Sequence, residues 1–209
     1  TIEHLMAALS GLGIDNSYVE VQGPEMPALD GSSMPYVDAI KSVGTIALDK
    51  ESSTLKITEP IWVRHNGSFI LAVPSDRLKI TYVMSYEHPL IGTQTATFVV
   101  TEESFSEQIA PARTFVVYEE IAGLVSQQLA KGGSLANVIV IWQDKLSSVL
   151  RVHDELAIHK VLDMVGDLAL VGGRLAAEIV AVKSGHALNV AFAQQVTAHL
   201  ASEENQEAA

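Results

Sequence analysis

Between Thr54 and Val100 the chain carries five strand-like stretches in succession: TLKITE, IWVRH, SFILAV, LKITYVMSY and TATFVV. Asn66-Gly67 between the second and third is a hairpin signal, because both central positions of a tight hairpin turn take positive φ. TEESFSEQI then reads as a helix, with Thr101 at its N-cap and acids in its first turn. VVYEEIAGLVSQQLA reads as a second helix, NVIVIW as a strand and residues 154–171 as a long helix. AAEIVAVK is a further strand, SGH a turn and ALNVAFAQQVTAHLA a last helix. Ahead of this block, residues 1–12 form a helix stopped by Gly11 and Gly13, and SYVEVQ alternates as a short strand. PEMPALDGSSMP is a turn-rich loop, and YVDAIKSVG is a helix closed by Gly44. Strands and helices therefore come in blocks, not in strict alternation, which predicts an α+β fold of layers with mostly antiparallel sheet.

What such a chain does is first narrowed by exclusion. It has 209 residues, enough to bury a real core, and a net charge of −12. That charge argues against a nucleic-acid partner held through its phosphates. With no cysteine, disulfides and thiolate metal sites are excluded, so any metal must be held by histidine and carboxylate. No apolar run reaches the roughly 18 residues of a membrane-spanning helix. No signal peptide is visible, and the chain opens on Thr1 inside a helix, as expected of a fragment or a processed chain.

The long helix holds the first candidate chemistry. Ile158, Val161, Leu162, Val165, Leu168 and Ala169 give it an apolar face. His159, Asp163 and Asp167 recur at four-residue steps and share another face. A histidine and an aspartate at i and i+4 can grip one zinc ion from a single helix. The same pattern also describes a solvated polar stripe, with Asp163 bonded to His159 or Lys160. On the first helix, Glu3-His4 suits a site where the histidine binds a metal and the acid takes a proton from water. Glu3 could equally serve only the helix dipole. In KSGHALN, Gly185 permits a tight turn that exposes His186 at a sheet edge, where a nearby acid such as Asp167 would raise its pKa. ARTF, between two helices, offers the Thr114 hydroxyl and the Phe115 ring.

None of these is specific alone, but their order is. Glu3-His4, LDG at 29–31, ARTF, KGGS at 131–134, HKVLDMVGD and KSGHALN together resemble the UDP-3-O-acyl-N-acetylglucosamine deacetylases, zinc enzymes of the committed step of lipid A synthesis. The resemblance implies two similar two-layer sandwich domains, with mostly antiparallel sheets and the active site between them. Residues 1–48 would be the remainder of a truncated first domain and 49–203 the second. An insert at about 116–140 would form an acyl passage, and 204–209 an acidic, unstructured tail. It implies His4, His159 and Asp163 as zinc ligands, with iron(II) the alternative metal, and Glu3 as general base. It implies His186 as a protonated acid oriented by Asp167, Thr114 as an oxyanion donor, and Lys160 and Phe115 as substrate contacts. Val117, Ile121, Leu124 and Val125 are candidate walls of the passage.

The activity so implied is zinc-dependent hydrolysis of the N-acetyl group of UDP-3-O-(3-hydroxyacyl)-N-acetylglucosamine, with release of acetate. The resemblance also implies a cytoplasmic monomer with a small-molecule substrate and no membrane span. A bell-shaped pH–rate profile follows, with Glu3 on the acid limb and His186 on the alkaline one. Because the chain begins at the Glu-His helix, its stripe of Ile2, Leu5 and Leu9 is expected to lack a covering sheet. The rival readings are an amidohydrolase for another N-acetyl sugar, an inactive truncated scaffold, and one half of a fusion with a hydroxyacyl-carrier-protein dehydratase.

Overall fold

In a computed structural model, which describes residues 2–207, the block pattern becomes one large mixed sheet with helices packed on it. The sheet strands are β1 (Thr54–Lys56), β2 (Ile61–His65), β3 (Ser68–Pro74), β4 (Lys79–Ser85), β5 (Thr93–Val99) and β8 (Arg174–Val182). Their order is β2-β3-β8-β4-β5, with β1 lying parallel to the start of β8. The β2·β3, β3·β8 and β4·β5 pairs are antiparallel and only β4·β8 and β1·β8 parallel. Consecutive strands joined by short turns pair antiparallel, whereas β8 arrives late in the chain and inserts between β3 and β4. Asn66 and Gly67 have φ of 46° and 79°, the paired positive values of a two-residue hairpin.

One row of facing residues across this sheet is Ile70, Ala181, Tyr82 and Ala96, all buried. The period of two puts the next row, Ala72, Ile179, Ile80 and Phe98, on the same face. Helix α5 (Glu155–Leu168) covers this face, with α6 (His186–Glu207) beside it over β2 and β3. Every residue of α5 except Lys160 is buried. The polar stripe on α5 is therefore not a solvated face: His159, Asp163 and Asp167 are all in the interior.

Three local readings are corrected. SYVEVQ joins neither sheet and lies exposed, because alternation makes a segment competent for a strand but only a paired neighbour makes it one. The helix expected over 116–130 shrinks to α4 (Ile121–Ser126). Before it, the β-branched Val116 and Val117 sit in β6 (Phe115–Val117), which pairs in parallel with β7 (Ile139–Ile141). α6 runs on to Glu207, through most of the stretch expected to be unstructured, while Ala208 and Ala209 lie outside the described residues.

Two more helices complete the frame, α1 (Glu3–Gly11) and α2 (Met34–Val43), the latter stopped by Gly44 at φ 76°. Thr101 is the N-cap as expected, here within a full capping box with Ser104, and opens the single turn α3 (Glu102–Ser104), which widens into a π turn at Phe105–Ile109. No described helix is long and apolar enough to cross a membrane.

Candidate metal centre

The helices α1 and α5 meet at their polar positions. His4 is buried on α1, and its ring stands edge-on to that of His159, with centroids 5.1 Å apart. One ligand atom each of His4, His159 and Asp163 lies within 4.8 Å of the others, the one such group among the described residues. Nε2 of His159 and Oδ1 of Asp163 are 3.2 Å apart. Two ligands about 2.0–2.2 Å from one tetrahedral ion stand about 3.3–3.6 Å apart, so the spacing of this pair is close to what a shared ion needs. Nδ1 of His4 is buried with no hydrogen-bond partner among the described residues. A buried imidazole nitrogen left unpaired is costly unless something binds it. An all-histidine-and-carboxylate donor set of this kind suits zinc, and also iron(II).

The electrostatics agree with a site built for a cation. Burial, with His159 beside it, lowers the pKa of His4 to about 4 and keeps it neutral, the form that binds metal. Burial alone would raise Asp163, but the charge of Lys160 holds it well below the usual carboxylate range. Burial likewise disfavours the Lys160 ammonium, and Asp163 more than offsets that, raising its pKa. The Nδ1–H of His159 donates to the carbonyl of Ala112 at 3.0 Å, which turns Nε2 towards Asp163.

A second pair stands across the site. Nδ1 of His186 donates to Asp167 Oδ2 at 2.9 Å, and Asn189 Nδ2 donates to the same oxygen at 2.8 Å. The bond to Asp167, against the opposing effect of burial, raises the pKa of His186 to about 8. Its other nitrogen, Nε2, faces Glu3 Oε1 at 3.9 Å. Glu3, His4, Thr114 and Phe115 are among the residues that line a cavity of about 670 Å³. Its apolar lining residues include Ile121, Leu124 and Val125, three of the four expected residues. The fourth, Val117, belongs to the core instead, and its neighbour Val116 takes the wall position. Phe115 meets Tyr86 edge-on at 6.1 Å, and Lys160 pairs with Asp163 at 2.5 Å.

The structure thus gathers Glu3, His4, His159, Asp163, Asp167 and His186 from α1, α5 and the start of α6, with Thr114 and Phe115 in the lining of the cavity that Glu3 and His4 also line. Sequence reasoning missed Asn189, although i, i+3 spacing from His186 puts both on one face of α6. It also missed the carbonyl of Ala112, for which a side-chain pattern holds no signal. Glu155 is the third omission. Fully buried at the start of α5, it accepts bonds from Arg113 and from the backbone of Arg151. Arg151 in turn pairs with Asp30 of the LDG loop at 2.7 Å.

Residues 1–198 match the family model described as UDP-3-O-acyl N-acetylglycosamine deacetylase. Proteins named UDP-3-O-acyl-N-acetylglucosamine deacetylase are similar to the chain over nearly its whole length. That of Chlamydia pneumoniae is 42% identical over 199 residues, covering 94% of this chain and 71% of its own. The Leptospira biflexa protein is 38% identical over 98% of this chain and 68% of its own. The Nostoc protein is 39% identical over 95% of this chain and 73% of its own.

Proposed function

Since the chain belongs to the UDP-3-O-acyl N-acetylglycosamine deacetylase family, we propose that it hydrolyses the N-acetyl group of a UDP-3-O-acyl-N-acetylglucosamine and releases acetate, the committed step of lipid A synthesis. The observation that carries this reading is the convergence of His4, His159 and Asp163 in the interior, with His4 and its neighbour Glu3 lining a cavity whose other lining residues include Ile121, Leu124 and Val125. His4, His159 and Asp163 would hold the metal, zinc by preference and iron(II) as the alternative. When bound, it would act as a Lewis acid on the acetamide carbonyl and lower the pKa of a water towards about 7.

The chain's own residues do the rest. Glu3 takes a proton from the attacking water, whose oxygen bonds to the carbonyl carbon. The Thr114 hydroxyl donates to the carbonyl oxygen as it becomes negative. His186, kept protonated by Asp167, faces Glu3 and delivers a proton to the nitrogen as the C–N bond breaks. The amine stays on the sugar and acetate departs. Lys160 and Phe115 contact the substrate, and the cavity walls receive its acyl chain. A division near residue 48, with residues 116–140 as an insert in the second unit, is part of the same reading, as are a cytoplasmic location and a monomeric state.

The test is bound metal per chain, set beside Asp163→Ala, followed by acetate release from the acylated UDP-sugar. The expected outcome is about one zinc per wild-type chain, lost in Asp163→Ala along with the activity. A folded wild-type chain that takes up no metal defeats the proposal.

A further inference from the structure

The two carboxylate oxygens of Asp163 are divided between two neighbours. Oδ1 faces Nε2 of His159, and Oδ2 accepts from the ammonium of Lys160 at 2.5 Å. Lys160 is one turn earlier on α5 than the carboxylate, at i, i+3, so the helix itself delivers the pair. Water hardly reaches it: the side chains of Lys160 and Asp163 are 17% and 3% exposed. An ion pair so enclosed keeps its geometry, where an exposed one would be screened and mobile.

We infer that Lys160 is a positioning residue that ties off Oδ2 of Asp163 and limits this aspartate to a single metal-binding oxygen. The inference rests on the metal-centre reading above and concerns what that centre's shape depends on. A carboxylate can bind a cation through one oxygen or through both. If Asp163 closed on the ion with both, the protein would supply four ligand atoms where three leave a position open for water. The ammonium has three hydrogens, so one spent on Oδ2 leaves others to meet a substrate. Lys160 also opposes the ion through its own positive charge. Its removal therefore has two effects of the same sign: Oδ2 is freed to bind the metal, and a repulsion is lost.

A merely structural lysine predicts the reverse. Losing it would loosen α5 and weaken metal binding, without changing the number of ligands. The experiment is titration of the metal-free chain with Co²⁺ alone, read by affinity and by the visible spectrum, which is intense for four-coordinate cobalt and weakens as the coordination number rises. The wild-type chain is expected to give the intense band. Lys160→Met is expected to bind Co²⁺ roughly tenfold more tightly, the scale on which outer partners act, with a weaker band. Lys160→Arg restores the charge and the tie and keeps the wild-type band. Unchanged or weaker binding by Lys160→Met with the wild-type band overturns the inference. So does a weak band in the wild-type chain, a readout that does not depend on the variant's folding. If the wild-type chain binds no Co²⁺ at all, the metal-centre reading itself fails and takes this inference with it.

Discussion

Gly166 of α5 lies against the backbone carbonyl of Glu3, so closely that a methyl group built on it would stand 2.2 Å from that oxygen. The contact is backbone on backbone, so no side chain can turn aside to relieve it. It is what lets α1 approach α5 closely enough for His4 to meet His159. Gly166→Ala must therefore push the two helices apart at the residue next to His4. We expect a loss of about 1–3 kcal/mol in stability, the usual scale of overpacking. Activity should fall far more, by about 100-fold, because a misplacement of about 1 Å in a catalytic group has that effect. Thermal melts and kcat/KM measured together check this: a variant with wild-type activity would show that the close approach does not set the site.

His186 makes the pH dependence specific. Its partner Asp167 raises its pKa to about 8, above the ordinary value of about 6.5. A group whose folded pKa is raised stabilises the fold fully below its unfolded value, and that contribution is lost as pH rises through the folded one. Both the alkaline limb of kcat/KM and a shallow decline in stability should therefore appear near pH 8. Asp167→Asn removes the charge that holds the proton, so the limb should move down by about one unit or more. A pH–rate profile of the two proteins decides it, and an unmoved limb in Asp167→Asn would assign the ionisation to another group.

The antiparallel strands and the stripe on α5 were legible in the sequence because both are periodic, and a period of two or of about four maps directly onto faces. The spacing of His159 and Asp163 could not say whether that face met water or the interior. The answer depends on α1, which covers the stripe from more than 150 positions away. His4 and His186 were visible as residues, but their convergence with α5 is a property of packing. The resemblance supplied it, and no local pattern does. SYVEVQ failed for the opposite reason: its alternation is real, but a strand is a pairing, and pairing partners are not written in the segment. The wall residue Val117 failed by one position, since β6 alternates faces where the expected helix would have kept Val117 and Ile121 together.

The apolar cavity offers a test of substrate length. Leu124 lies on α4 among its walls. Leu124→Trp would fill part of the roughly 670 Å³ and leaves Glu3, His4 and Asp163 themselves unchanged. We expect kcat/KM for a long-chain acyl substrate to fall by at least about tenfold, the size of effect a steric change of one or a few methylenes produces. A short-chain analogue should lose much less, and metal content should not change. Equal losses on both substrates would mean that the chain lies elsewhere.

The last prediction concerns what keeps α5 in place. Glu155 begins that helix fully buried, yet stays ionised: burial would raise its pKa, but the guanidinium of Arg113 and two backbone N–H groups lower it. Arg113 bonds Oε1 through its backbone N at 3.0 Å and Nε at 2.8 Å, and Oε2 through Nη2 at 3.1 Å. The residue before it, Ala112, supplies the carbonyl that orients His159, and the residue after it is Thr114. The pair therefore ties the loop that holds Ala112 and Thr114 to the base of the helix that carries His159 and Asp163. Arg113→Met leaves a buried carboxylate with its main partner gone, which costs about 3–5 kcal/mol. For a chain of this size that lowers Tm by on the order of 10 °C. Adding Glu155→Gln removes the stranded charge, so the double variant should melt above Arg113→Met alone. Its metal binding should still lag behind wild type, because neutralising the charge does not restore the tie to Ala112. Melting of Arg113→Met, Glu155→Gln and the double variant beside wild type separates these effects, and strict additivity would mean that the two residues are not coupled.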